Sequence, residues 1–398
     1  MFLFKLLILW LAVLFTVDAA ELLDVGTKAD VIPNAYIVVL KNMVSSDEFS
    51  SHVHWLEKTH RRNLAKRGSI FTEGLRSSWD IDGWQAYGGS FGEDTLQEIL
   101  KHENVDFVEP NQRVQVSSPI KQSNVTWGLA RISHKKNGGN NYVSNYGEGE
   151  NITFYGVDTG IDINHTEFSG RARWGINMVD MKDTDCFGHG THTAGTVAGK
   201  TFGILRKASI VSIKVLDCYG SGDLEGIING ITWAARDAKR KGVLGKSVMN
   251  VSLGGPRSRS LNEATVRTQA AGIFISVAAG NDNRNASMVS PASAPELCTV
   301  AASTMNDTKA DFSNYGEAVD LFAPGVGVIS ALPGGRSEPM SGTSMASPHV
   351  CGVGALVMAA EDLAPEKVCG RLKELANSAI KNPGIRTTDK LLYNGSGA

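Results

Sequence analysis

From residue 151 onward, short runs of almost continuous apolar residues alternate with longer stretches whose apolar residues recur at helical spacing, and this alternation constrains the fold most. The runs lie at 151–157, 208–216, 247–253, 273–279 and 298–302, and the helical stretches between them at 189–198, 223–241 and 261–271. In 223–241, Leu224, Ile227, Ile228, Ile231, Ala234, Ala235 and Ala238 fall on one helical face, and Lys241-Gly242 closes the helix. Strands that are apolar on both faces, separated by amphipathic helices, predict a parallel sheet covered on both sides: an α/β domain.

The first 120 residues read differently. Strand-like runs at 35–41, 83–91 and 105–109 alternate with helical spacing at 47–60 and 93–101, the order of a small ferredoxin-like α+β unit with no nucleophile–base set of its own. The basic cluster at 58–67 is expected as a solvated loop, with a dibasic cleavage site at Lys66-Arg67 as the alternative. The polar composition of 112–125 marks a domain boundary. At the N-terminus, Lys5, an apolar run at 6–15 and Val17-Asp18-Ala19-Ala20 follow the order of a secretory signal peptide, and the run is too short to span a bilayer. The expected division is 1–19 signal peptide, 20–119 first domain and 120–398 second domain.

A net charge of −2 supplies no basic field for nucleic acid, and no membrane segment is expected in the mature form. Five cysteines entering an oxidising compartment suggest two bridges and one free thiol. Asn-x-Ser/Thr triplets make Asn124, Asn151, Asn164, Asn285, Asn306 and Asn394 glycosylation candidates; Asn250 falls in a buried strand and is expected bare.

In sheets of this kind functional groups gather at the carboxyl ends of the strands. Asp158 stands at one such end, in Val157-Asp158-Thr159-Gly160, and Asn281 at another, in Ala278-Ala279-Gly280-Asn281. His189 opens a helix within Gly188-His189-Gly190-Thr191-His192. Ser344, in Gly342-Thr343-Ser344-Met345-Ala346-Ser347-Pro348-His349, precedes an apolar helix; because proline is tolerated in a helix's first turn, Ser344 is expected near that helix's N-terminus. There a developing oxyanion meets free backbone N–H groups, so Ser344 is a candidate nucleophile; an N-capping serine fits the same stretch. With His189 as base, Asp158 as its orienting carboxylate and Asn281 as oxyanion donor, acyl transfer becomes feasible. Taken singly, Asp158 and Asn281 also suit turns and His189 a helix start. A His189/His192 metal pair lacks further ligands, and the order Asp, His, Ser differs from that of an α/β-hydrolase.

Together these motifs, with Ser252-Leu253-Gly254-Gly255 and the segment Trp127-Gly128-Leu129-Ala130-Arg131-Ile132-Ser133, resemble a secreted subtilisin-like serine protease of the proteinase K branch, fungal in type. The first domain is similar to the inhibitor-type propeptide of that family. The resemblance implies a seven-stranded parallel sheet and a broad-specificity endopeptidase made as a self-processing zymogen. It implies an extended substrate lying between Gly220-Ser221-Gly222 and Ser252-Leu253-Gly254, with Ala278-Ala279-Gly280 walling the main specificity pocket. It further implies a structural Ca²⁺ held by Pro295, Leu297 and Asp320, and bridges Cys186–Cys218 and Cys298–Cys369, leaving Cys351 as a free buried thiol. Thr193 stands where the branch often has a free cysteine, and no cysteine lies beside Asn151. Protein substrates and the chain's own propeptide are the expected partners of a monomer.

Overall fold

A computed structural model describes residues 19–24, 31–41, 44–67, 72–81, 84–112 and 120–398. Residues 1–18 of the expected signal peptide, and residues 113–119 before the expected start of the second domain, lie outside the described residues. The chain divides after Val116 into two compact units.

In the first unit the order is β1 (Glu21–Leu22), β2 (Val31–Leu40), α1 (Ser46–Arg67), β3 (Gly74–Ile81), β4 (Trp84–Ser90), α2 (Glu93–Leu100) and β5 (Val105–Gln112). The sheet order β1-β5-β2-β4-β3, with β2 antiparallel to both β4 and β5, is the ferredoxin-like arrangement plus one short edge strand. Leu56, Tyr87, Phe91, Ile99 and Val108 are wholly buried in its core. The basic cluster is no loop: 58–67 forms the last turns of α1. Arg62 pairs with Glu98 of α2, and Asn63 Nδ2 donates to Glu98 Oε1 at 2.9 Å.

The second unit opens with β6 (Ile120–Ser123), α3 (Trp127–Ile132) and β7 (Asn141–Ser144), which pairs with β6. Then follow β8 (Thr153–Asp158), β9 (Ala172–Asn177), α4 (His189–Ala198), β10 (Ser209–Lys214), α5 (Leu224–Lys241) and β11 (Ser247–Val251). Next are β12 (Gly255–Pro256), α6 (Arg259–Ala270), β13 (Ile273–Ala278), β14 (Val289–Ser290), β15 (Cys298–Ser303) and β16 (Leu321–Pro324). A hairpin of β17 (Val328–Leu332) and β18 (Arg336–Met340) leads to α7 (Thr343–Ala360), α8 (Pro365–Leu375), β19 (Asn377–Ser378) and β20 (Lys390–Leu391).

The large sheet has the order β19-β20-β16-β15-β13-β11-β8-β10-β9. The seven strands from β16 to β9 are mutually parallel, as expected; β20 adds one parallel pairing and β19 an antiparallel edge. Alternate residues of one strand enter opposite cores. Phe154, Ile210, Val248 and Phe274 pack with α4 and α7, whereas their neighbours Tyr155, Val211, Met249 and Ile275 pack with α5 and α6. This two-sided burial is why the strands read as continuous apolar runs. Among the described residues α7 alone is long and apolar enough to cross a membrane, but it is the buried central helix. Its close approach to the sheet requires Gly354, where a Cβ would lie 2.2 Å from the Phe274 ring.

Candidate active site

The carboxyl ends of β8, β11 and β13 and the N-termini of α4 and α7 meet at one edge of the sheet, and the four expected residues are on them. Asp158 ends β8 and is 1% exposed. His189 is the first residue of α4, and its Nδ1–H donates to Asp158 Oδ1 at 2.7 Å, which fixes the tautomer and leaves Nε2 toward the cleft. The helix approaches this closely only with glycine at 190, where a Cβ would lie 2.0 Å from the Gly160 carbonyl oxygen. Burial pulls the His189 pKa down, but the charge and hydrogen bond of Asp158, with the charge of Asp185, outweigh it and raise it above the ordinary imidazole value.

Ser344 is the second residue of α7, so its N–H belongs to the first turn and has no intrahelical acceptor. Its Oγ donates to the Ser252 carbonyl at 3.1 Å, and no hydrogen bond to His189 is formed in this state. Pro348 lies a turn deeper than the sequence suggests, sixth in the helix. Having no N–H, it cannot satisfy the Ser344 carbonyl four residues back; Ser252 Oγ does so instead, at 2.8 Å. Ser252 in turn accepts from Asn250 Nδ2 at 2.9 Å, and Ser347 Oγ donates to Asn250 Oδ1 at 2.8 Å. This buried network ties the start of α7 to β11, and it engages the Asn250 side chain at both ends, in keeping with the expectation that it stays bare.

Asn281 follows β13. Its Oδ1 accepts from Thr343 N at 2.8 Å and Thr343 Oγ1 at 2.9 Å, so the amide N–H₂ is the end left for the cleft, on the same side as the Ser344 N–H. Ser344, Asn281, Thr343, Ala278, Gly280 and Val289 help line a cavity of about 260 Å³. A larger cleft of about 720 Å³ carries Gly220, Ser221 and Gly222 on one side and Ser252, Leu253 and Gly254 on the other, with His189 at its end. Ala279 is a correction: strand alternation turns it away from the cavity into a separate core with Phe322 and Leu391.

Sequence reasoning missed Asp185. This buried carboxylate accepts from Thr159 Oγ1 at 2.8 Å, Gly188 N at 2.7 Å, Thr191 N at 2.8 Å and Thr191 Oγ1 at 2.5 Å. It therefore joins the residue after Asp158 to both sides of His189. Beneath it the buried Lys214 ammonium donates to the Thr159 carbonyl at 2.9 Å. His192 Nε2–H donates to the Glu338 carbonyl at 3.1 Å, and burial lowers its pKa to about 4.

Both expected bridges are present, Cys186–Cys218 and Cys298–Cys369, and Cys351 is free and buried. The first joins the loop before His189 to the loop before Gly220. Asn394 is not a glycan site in this fold: it is wholly buried, and its Nδ2 donates to the Val143 carbonyl at 2.7 Å. Asn124, Asn151, Asn164, Asn285 and Asn306 are exposed.

The expected calcium ligands fit the ion poorly. Asp320 Oδ2 already accepts from Thr299 N at 3.0 Å, and its Oδ1 holds the Lys373 ammonium at 2.8 Å. Cys298, Asp320 and Cys369 also have ligand-type atoms within 4.8 Å of one another, but the two sulfurs are bonded together and offer no thiolate.

A family model described as the subtilase family matches residues 150–395. The chain belongs to the subtilase family. A second model, peptidase inhibitor I9, matches residues 35–117. Subtilisin-like protease 12 of Trichophyton verrucosum is 69% identical over 398 residues, covering 100% of both chains. Subtilisin-like protease 3 of Arthroderma otae is 52% identical over 394 residues, covering 99% of each. The crystal structure of a cold adapted subtilisin-like serine proteinase superposes with a TM-score of 0.65 at 42% identity, covering 68% of this chain and 99% of that one. This subtilase is a serine endopeptidase zymogen that acts on protein substrates and carries its own I9 inhibitor domain.

Proposed function

We propose that Ser344, His189, Asp158 and Asn281 carry the hydrolysis, and the observation that carries this reading is the convergence of these four on one strand-end edge beside a two-walled cleft. Ser344 Oγ attacks the scissile carbonyl carbon while His189 Nε2 takes its proton. Asp158 keeps the other ring nitrogen protonated and stabilises the imidazolium. The tetrahedral oxyanion accepts from Asn281 Nδ2 and the Ser344 N–H. Collapse breaks the C–N bond as His189 returns its proton to the leaving amine; water, activated by the same imidazole, then hydrolyses the acyl-enzyme. The Ser252 carbonyl, which now holds the Ser344 hydroxyl, is also an acceptor suited to a substrate backbone N–H. An extended substrate that takes this bond frees the hydroxyl to turn to His189.

Main-chain pairing with residues 220–222 and 252–254 leaves side chains to be read only by the cavities, which suits broad specificity. The mature enzyme is secreted and works as a monomer, and the division 1–19, 20–119 and 120–398 marks signal peptide, propeptide and catalytic domain. The enzyme cuts its own chain near residues 117–121 after folding. Ser344→Ala, expressed with no other protease present, is expected to remain at full precursor length and to lose labelling by a serine-directed organophosphate. A mature-size product from that variant would refute self-processing, and retained labelling would refute Ser344 as the nucleophile.

A further inference from the structure

The side chain of Asp320 is the carboxylate that the family resemblance assigns to calcium, yet it is already occupied in a way the fold enforces. The bridge Cys298–Cys369 ties α8 to the start of β15. Lys373 lies four residues beyond Cys369, on the same face of α8, so the bridge that anchors Cys369 also aims Lys373 at the neighbouring strand end. There its ammonium meets Asp320 Oδ1 at 2.8 Å. The other carboxylate oxygen is held by the N–H of Thr299, the residue after Cys298, and the Asp320 N–H returns a bond to the Thr299 carbonyl at 2.9 Å. The loop bearing Pro295 and Leu297 is anchored separately: Gln269 Nε2 donates to the Glu296 carbonyl at 2.6 Å, and Leu297 is 1% exposed.

We infer that Lys373 is a built-in replacement for the calcium ion at Asp320, so that this subtilase holds the 295–299 loop and β16 together with its own ammonium and binds no divalent cation there. The chemistry is simple. A dication coordinated by Asp320 would have to displace an ammonium from hydrogen-bonding distance or share one carboxylate with it, and like charges oppose sharing. The ammonium comes covalently attached to a helix already fixed by the bridge, so it carries no concentration dependence. The loop geometry therefore becomes insensitive to chelators.

The test uses the full-length chain in a Ser344→Ala background, which prevents autolysis, and counts bound Ca²⁺ by equilibrium dialysis. Four proteins are compared: the background itself, Asp320→Asn, Lys373→Ala and the double variant Asp320→Asn/Lys373→Ala. Whatever calcium binds elsewhere cancels in the comparison. The expected result is the same stoichiometry for the background and Asp320→Asn, one additional ion for Lys373→Ala, and loss of that ion in the double variant. Thermal melts supply a second readout. Lys373→Ala acquires a rise in Tm on the order of 5 °C on adding Ca²⁺ in large excess over its dissociation constant, and the other three acquire none beyond the background response. If Asp320→Asn binds one ion fewer than the background, calcium occupies the site with Lys373 in place and the inference is wrong. It is equally wrong if Lys373→Ala binds no additional ion.

Discussion

Replacing Asn281 separates a chemical role for its amide from a structural one. Its Oδ1 accepts two hydrogen bonds from Thr343, so Asn281→Ala removes both anchors of the first turn of α7 as well as the N–H₂ facing the cleft. The side chain is exposed, so water replaces much of the lost anchoring and the stability loss is about 1 kcal/mol. The catalytic loss is larger, because the oxyanion forms only in the transition state. Removing one such donor from a related subtilisin-type enzyme costs about 10²–10³ in kcat, or roughly 2.7–4 kcal/mol, and the same range is expected here with KM nearly unchanged. Asn281→Asp sharpens the comparison. A carboxylate keeps both bonds from Thr343 but places an anion where the amide donor stood, so it should fold at least as well as Asn281→Ala and lose at least as much kcat. The assay is hydrolysis of a chromogenic peptide amide, normalised to active sites counted with a serine-directed label. If Asn281→Asp were clearly more active than Asn281→Ala, the residue would act through Thr343 and not through its N–H, and the oxyanion assignment would fail.

The raised pKa of His189 places the acid limb of kcat/KM above the ordinary imidazole value of about 6.5, since the base must be neutral to act. Protonation of His189 correspondingly stabilises the fold at low pH, a contribution lost as pH rises through its folded-state pKa. Asp185→Asn removes one of the charges that raise it, so the limb should move to lower pH; an unmoved limb would reduce Asp185 to a purely structural part. Cys186→Ser/Cys218→Ser opens a loop of sequence separation 32 and should cost at most about 3–4 kcal/mol in denaturant unfolding, with the greater effect on KM because the 220–222 wall of the cleft is released from the loop before His189. Ser252→Ala strands the Ser344 carbonyl and the Asn250 amide, for about 2–5 kcal/mol. Pro348→Ala restores an N–H four residues on, so the double variant should recover roughly 1 kcal/mol; simple additivity in the cycle would refute this account.

The central sheet was legible because burial on both faces leaves a continuous apolar signature, and α5 because its apolar face ends at Gly242, which adopts φ 66° as the C-cap. Of the strands that escaped notice, β3 and β9 are edges of their sheets and carry polar residues, whereas β16 is buried and internal but only four residues long and ends in Pro324. The four candidate positions were visible for a related reason. Each sits at the junction of an apolar element with small residues; singly each suits a turn or a helix start, and it is their joint order along the chain that stands out. Asp185 carried no such mark. Asp180, Asp183 and Asp185 lie in one short acidic stretch, and only the tertiary fold buries the third while the first two stay exposed. Asn394 misled in the opposite direction, since a sequon records local sequence and cannot register that the chain end folds back to bury its amide against Val143.

Pro348 shows most clearly what a one-dimensional reading leaves out. Helix rules place a proline in the first turn, and from that rule Ser344 belongs near the N-terminus; the conclusion holds although the premise is off by a turn. The cost of the deeper proline is met by Ser252, a residue 92 positions away, which gives its hydroxyl hydrogen to the stranded carbonyl and its own carbonyl to the Ser344 hydroxyl. The same serine lines the larger cleft. A helix defect is thereby converted into a link between Ser344 and the strand along which substrate would lie. Neither half of that link can be inferred from its own stretch of sequence, because each is satisfied only by the other.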